Sequence, residues 1–264
     1  MSQINLLATW TLAERELVRF IRQRNRVFGA LAQPVLFWAL FGAGFGASFQ
    51  PGGETGPGYS EYFFPGTVVL ILLFTAIFAT ISIIEDRNEG FLQGVMVSPV
   101  STATIVAGKI LGTVILATGQ ASLVFLLAPL AGVPLTLSGV LLGIPLLAFI
   151  AVALAGLGFS IAWRLDSTQG FHAVMTAFLM PMWLLSGAFF PADGVPSWLG
   201  WIIAINPLTY GVAAFRHVLY LDGGAAVVGI PGLAFSLVAV LFFAVGTFAL
   251  ALAVASRRTI ETRS

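Results

Sequence analysis

Cysteine is absent from the 264 residues, which excludes disulfides, thiolate metal sites and cysteine nucleophiles. Charge is scarce. Asp, Glu, Lys and Arg make up 9% of the chain, against roughly a quarter of a soluble domain. Neither sign predominates, with 12 Lys and Arg against 11 Asp and Glu, so no nucleic-acid partner is indicated. The two histidines, His172 and His217, stand apart from each other and from any metal-ligand spacing. No phosphate loop is present either: Gly108-Lys109 is followed by Ile110, and Ala103 stands where that loop needs glycine. No catalytic triad or nucleophile constellation appears, so neither an enzyme nor a metal or cofactor site is expected in this chain.

What fills the chain instead is apolar. Hydrophobic residues make up 58% of it, and the mean hydropathy is +0.99. A hydrocarbon core about 30 Å thick takes roughly 20 apolar residues of helix. Six runs meet that length: Val27–Phe49, Phe63–Ile84, Ile105–Leu130, Leu135–Trp163, His172–Phe190 and Gly232–Ala255. The expected fold is therefore an all-α integral membrane protein with one six-helix transmembrane domain over 27–255. An amphipathic helix over 1–26 precedes it and a short tail over 256–264 follows. The first run is too long, and follows too much charged chain, to be a cleaved signal peptide.

With six crossings both termini share a side, and that side holds every Lys and Arg except Arg216. The positive-inside rule then makes both termini cytoplasmic. The apolar segment 191–220 is too short on either side of Asn206-Pro207 to cross alone, and Pro207 interrupts any joined helix. It reads as an external re-entrant helical hairpin, with Trp198, Trp201 and Tyr210 at headgroup depth.

In the N-terminal helix, Leu6, Trp10, Ala13, Leu17 and Phe20 recur at three- and four-residue steps and form one apolar face. Arg15, Arg19, Arg22 and Arg26 form a second, basic face. Such a helix lies in the interface plane with its arginines toward anionic headgroups and water. It serves either as a topology anchor or as a docking element for a cytoplasmic partner.

No Asp or Glu falls inside the six runs, which disfavours an ion-coupled carrier, and a selective channel lacks its ring of charges. Lys109 lies one turn inside its run and is expected to snorkel to the surface. Gln33 and Gln120 are the deep polar groups, expected to hydrogen-bond neighbouring helices. Gly42-Ala-Gly44-Phe-Gly46 lies inside an apolar run and reads as a close helix contact.

The richest polar cluster after the N-terminus is the 85–101 loop. Glu85, Asp86, Arg87 and Glu89 open it, and Gly90 and Gly94 permit close approach of another backbone. Phe91, Leu92, Val95 and Met96 then form a short apolar patch, Pro99 stops the helix and Ser101 is placed to cap the next one. An apolar patch with a charged rim reads as a protein-docking surface.

Glu85-x-Arg87-x-Glu89-Gly90, Ser98-Pro99-Val100-Ser101 and Gly108-Lys109 together resemble the cytoplasmic loop of type-2 ABC exporter permeases. A second set resembles the family's fifth-span end and external re-entrant helices: Ser186-Gly187-Ala188-Phe189-Phe190-Pro191, Val195-Pro196-x-Trp198-Leu199, Asn206-Pro207-Leu208-Thr209-Tyr210 and Arg216. Thr102 and Thr104 stand where the family often carries a basic residue. The resemblance covers nearly the whole chain. It implies a permease of a prokaryotic inner membrane, paired with an identical or related second permease and with two separate ATPase subunits that hold ATP and Mg. The 85–101 loop would be the coupling helix seated on the ATPase, near the N-terminal interface helix. An amphiphilic or hydrophobic small molecule or lipid is the expected cargo. The rival readings are a cell-surface polysaccharide exporter, an ion-coupled carrier or channel, and a membrane-bound enzyme.

The sidedness is directly testable because the chain has no cysteine of its own. Single cysteines at Gly53 and Ser197 should react with an impermeant maleimide in intact cells, and those at Asn88, Ser167 and Thr262 only after permeabilisation. External labelling at Thr262 would require an odd number of crossings.

Overall fold

The computed structural model describes residues 3–46, 58–192, 195–221, 227 and 229–261, and no strand occurs among them. The helices are α1 Gln3–Arg22, α2 Arg24–Phe45, α3 Tyr59–Asn88, α4 Phe91–Met96, α5 Thr102–Phe125, α6 Leu137–Ala162, α7 Thr168–Trp183, α8 Ser197–Ile205, α9 Pro207–Leu219 and α10 Leu233–Glu261. Six stretches are long and apolar enough to cross a bilayer: α2, α3, α5, α6, α7 with its continuation to Ala188, and α10 to Arg257. Each overlaps one of the six apolar runs. Residues 47–49 of the first run, 193–194 of the hairpin segment and 262–264 of the tail lie outside the described residues, as does Gly53.

α3 occupies the centre. Its most apolar stretch is 89% buried, against 11% for α2 at the periphery. A helix that is hydrophobic all round is a buried one, and α3 packs against α2, α5, α6 and α7. α10 lies on α6 and α9 and keeps Phe235, Val238 and Phe242 exposed, as a lipid-facing helix must. Close approach is achieved with small residues, the device membrane helices use where apolar burial gives no gain over lipid. A Cβ on Gly66 of α3 would lie 2.6 Å from the Ala188 Cβ, and one on Gly156 of α6 would lie 2.9 Å from the Thr247 backbone of α10.

Several element limits differ from the sequence reading: the N-terminal helix ends at Arg22, so that Arg24 and Arg26 belong to α2, and α10 runs on to Glu261. α3 runs on to Asn88, so Glu85–Asn88 form its last turn rather than the opening of a loop. α5 ends at Phe125, and the chain then passes through a short 3-10 turn, Ala128–Ala131, with Pro129 near its start. Proline suits a first helical turn, where its missing donor costs nothing.

Beyond Trp183 the seventh helix loosens into a wide turn, Leu184–Ala188, in which Gly187 takes a left-handed conformation at φ 75°. The carbonyls released there are met by side chains from other helices. Tyr62 donates its hydroxyl to Gly187 O at 2.7 Å, Arg216 donates to Gly187 O and to Tyr62 O at 3.0 Å each, and Tyr59 donates to Phe189 O at 3.0 Å. Trp183 Nε1 closes the same region on Gly66 O at 2.8 Å. Arg216, the lone basic residue of this end, is 2% exposed and also lies over the Tyr62 ring.

The α8–α9 pair bends by 78° at Asn206. Asn206 Oδ1 caps α9 by accepting from the Leu208 N–H, and its Nδ2 donates to Met182 O at 2.6 Å, deeper in the bundle. The chain leaves from Phe189, against Tyr59, and returns to Tyr220, whose hydroxyl donates to Glu61 at 2.8 Å. Tyr59 and Glu61 both belong to the first turn of α3, so the pair dips in and comes back to the end it left. Trp198 and Trp201 are exposed at 66% and 73%, while Tyr210 is half-buried beside Phe235.

Gly66→Leu should therefore separate α3 from the Leu184–Ala188 turn. Overpacking of this kind costs about 1–3 kcal/mol, visible as a lower thermal transition of the purified chain in detergent. Gly119→Leu on α5, where an added Cβ meets nothing within 4 Å, should leave the transition in place.

Candidate functional site

At the opposite end of the bundle the charges gather. α1 has three faces rather than two. Leu12, Ala13, Glu16 and Phe20 are buried against the protein, Leu6, Leu7, Trp10 and Ile21 are exposed, and the arginines occupy the remaining side. The buried face lies on α5, where Gly108 and Gly112 leave room for it. A Cβ at Gly108 would stand 2.7 Å from Leu12 Cβ, and one at Gly112 would stand 2.8 Å from Glu16 Cβ.

That contact carries Glu16 into the interior at 3% exposure, where it meets Lys109 Nζ at 2.6 Å and accepts a hydrogen bond from Ser82. Lys109 is equally buried and also pairs with Asp86, which is fully enclosed. Arg15 donates twice to Asp86, at 2.9 and 2.7 Å, and Arg19 pairs with Asp86 and, at 2.9 Å, with Glu85. Arg26, in the first turn of α2, pairs with Glu85 as well. Glu89 completes the set at 3.3 Å from Arg19. Four acids thus face four bases across α1, α2, α3 and α5. Burial works against the Arg15 charge, but its hydrogen bond to Asp86 and the charges of Asp86, Glu16 and Glu89 outweigh it. The guanidinium pKa is raised above its ordinary value.

The arrangement corrects two expectations. Lys109 does not snorkel to the surface, because two buried carboxylates hold it inside. Arg15, Arg19 and Arg26 face Asp86 and Glu85 rather than headgroups and water; Arg22 alone of the four remains exposed. The sequence signal for the cluster is a carboxylate within an apolar stripe, at Glu16, and a lysine within an apolar run, at Lys109. Each has a bland reading taken singly, and only the fold brings them together.

Gly90, left-handed at φ 81°, ends α3 and turns the chain into α4. The apolar patch expected there is divided. Leu92 is 3% exposed and points inward, and Phe91, Val95 and Met96 are half-buried against the core. Phe91 lies under the Arg15 guanidinium at 3.6 Å, so α4 is attached to the ion cluster by its inner face. The outer surface of α4 and of the turn that follows it is formed by Gln93, Gly94, Val97 and Pro99, with Val97 at 87% exposure. Arg87 ties the same corner to the end of α6, donating to Trp163 O at 2.7 Å, Leu165 O at 3.0 Å and Asp166 at 2.8 Å. Ser101 caps α5, accepting from Thr104 N at 3.2 Å. Among the described residues no three His, Asp or Glu side chains converge as a metal would need.

An apolar bundle with six helices able to cross a bilayer, an ion-paired helix laid along one end and a short helix facing outward from it, is the build of a multi-pass membrane protein. The model of the ABC-2 type transporter family matches residues 8–220, and the chain belongs to that family. It is 27% identical to nodulation protein J of Rhizobium leguminosarum bv. viciae over 195 residues, 73% of this chain and 74% of that one. To nodulation protein J of Sinorhizobium fredii it is 26% identical over 237 residues, 89% and 87% of the two chains. The daunorubicin resistance ABC transporter permease protein DrrB1 of Streptomyces coeruleorubidus is 22% identical over 230 residues, 84% of this chain and 78% of that one. The protein is a permease subunit of an ABC transporter.

Removing one member of a buried ionic set leaves uncompensated charge and costs about 3–5 kcal/mol. Lys109→Met should therefore lower the thermal transition and folded yield sharply, and Lys109→Met with Asp86→Asn should recover part of the loss. A double-mutant cycle on the two positions measures this coupling. Strict additivity would show that the two side chains do not act together.

Proposed function

We propose that this permease works in an ATP-driven exporter, beside a second permease copy or relative and two separate ATPase subunits that carry ATP and Mg. In this reading the ion-clustered end faces the cytoplasm of a prokaryotic inner membrane, with both termini there. The outer surface of α4, from Gln93 to Pro99, seats in the ATPase. The observation that carries the reading is the double attachment of α4. Its outer side is open, while its inner side is fixed to α1 through Arg15 and Phe91 and to the spans through Leu92.

A displacement of α4 by the partner would therefore move α1, α3 and α5 as one body. Buried ion pairs and the glycine contacts at Gly108 and Gly112 leave little room for these helices to slide independently. Glu85, Asp86 and Arg87 act within this chain as transmission elements, and Glu89 lies at the rim. The cargo proposed is an amphiphilic or hydrophobic molecule, because the polar side chains at mid-span, Thr75, Gln120 and Gln33 among them, are uncharged.

Leu92→Asp would disrupt α4 itself, so the informative substitutions lie on its outer side. Val97→Asp should place an unpaired carboxylate in the contact and cut co-purification of the ATPase about a hundredfold or more. Glu89→Ala, a rim charge, should change it by about 1 kcal/mol or less. Transport and ATPase stimulation should fall together in Val97→Asp while the amount of permease in the membrane holds. ATP hydrolysis by a rigorously partner-free preparation would overturn the reading.

A further inference from the structure

Beyond the glycine contact that holds α1 on α5, α2 stands away from α5, and the three helices leave a cleft of about 900 Å³ between them. Its walls are apolar: Leu17 and Ile21 from α1, Phe28 and Leu31 from α2, Ile115 and Leu123 from α5. Ile21, Phe28 and Leu123 at its margin are exposed, so the cleft opens sideways, toward lipid in a membrane-spanning chain. Two polar residues interrupt this lining, and each keeps donors that the described residues leave unmet. Arg24 opens α2 and is exposed, and it makes no ion pair among the described residues, unlike its neighbour Arg26. Gln120 is 8% exposed; Thr75 donates to its Oε1, and its amide N–H groups carry no hydrogen bond among the described residues.

The two groups lie at different depths. Arg26 beside Glu85 sets the level at which α2 begins, and Thr75 sets the level of Gln120. Ten residues of α3 separate Glu85 from Thr75, or about 15 Å along the helix axis. An occupant that satisfies the cleft must therefore be apolar along its length, anionic at the end near Arg24, and able to accept a hydrogen bond about 15 Å deeper. An ordinary acyl chain meets the first two demands and not the third. A second copy of this chain would have to bring a carboxylate to Arg24, whereas the α2 residues that line the cleft beyond it, Val27, Phe28, Leu31 and Val35 among them, are apolar. We propose that this cleft binds a single-chain anionic amphiphile drawn laterally from the bilayer, with its headgroup on Arg24 and an acceptor on its chain facing Gln120.

Gly119 lines the cleft, and an added Cβ there meets nothing within 4 Å, so Gly119→Cys provides a reporter position in a chain with no other cysteine. The full chain, labelled there with a small environment-sensitive fluorophore, would be reconstituted in phosphatidylcholine vesicles. It would then be titrated with 12-hydroxystearate, stearate and stearyl alcohol at a pH where the acids are ionised. The half-saturating mole fraction should rise about fivefold from stearate to stearyl alcohol, the discrimination one basic side chain gives at a membrane surface. 12-Hydroxystearate should bind about fivefold more tightly than stearate, as one added hydrogen bond would give. Arg24→Gln should erase the first difference only, and Gln120→Leu the second only, with each variant's thermal transition retained.

Equal binding of all three probes would overturn the proposal, as would no response to any of them. Disulfide formation between two unlabelled Gly119→Cys chains would also overturn it, giving this face to a second copy. Because the readout is binding to the permease alone, its failure is distinct from any failure of the exporter reading.

Discussion

A carboxylate taken out of water must find its counter-charge inside the protein, and here that requirement falls on Glu16 and Asp86 together. Both are almost wholly enclosed, and Lys109 stands between them. Lys109 alone leaves a net negative charge, so Arg15 and Arg19 are drawn in, and Glu85 in turn holds Arg19 and Arg26. The position of α1 follows from this chain of demands. Apolar contact alone would hold a helix against α5 in many registers, because burial energy is non-directional. Opposite charges at fixed heights on four helices admit far fewer.

The two ends of the bundle are closed by different physics. At the ion-clustered end full charges neutralise one another. At the other end the wide turn after Trp183 frees carbonyl groups, and the donors that meet them are Tyr59, Tyr62 and Arg216, while Trp183 itself donates to Gly66 O on α3. Arg216 donates to the backbone carbonyls of Tyr62 and Gly187, which spread its positive charge over neutral dipoles and the Tyr62 ring. Such a closure is soft electrostatically and is decided by geometry. The ionic end resists a change in helix spacing because every small displacement acts on several charge pairs at once.

Much of this architecture is legible in the sequence because the bilayer imposes a coarse rule. Twenty apolar residues with few charges leave little else to form than a crossing helix. Asn206-Pro207 and the flanking short runs identify the hairpin for the same reason, since neither piece is long enough to cross. The faces of the short elements are not legible. α1 satisfies two-faced periodicity on paper, yet Ala13 and Phe20 turn to the protein while Leu6 and Trp10 stay exposed, a division that depends on where Gly108 and Gly112 sit on another helix. α4 has only six residues, under two turns, too few for periodicity to tell Leu92 from Val97. Lys109 is misread for a related reason. One lysine near a span end implies the surface unless its two carboxylates, from separate helices, are already known.

The ion cluster also sets an order of assembly. Glu16 lies 93 residues ahead of Lys109 in the chain, and Asp86 lies 23 residues ahead of it. In a growing polypeptide α1 therefore exists long before the lysine that receives its carboxylate has been made, and until then Glu16 has only Arg15 beside it, water and headgroups to hold its charge. α2 and α3 are synthesised in that interval, and Asp86 at the end of α3 finds Arg15 and Arg19 already made. The arrival of α5 supplies the cation and the glycine face in one step. α1 can meet α3 through Asp86 beforehand, but its own carboxylate is enclosed only when α5 arrives.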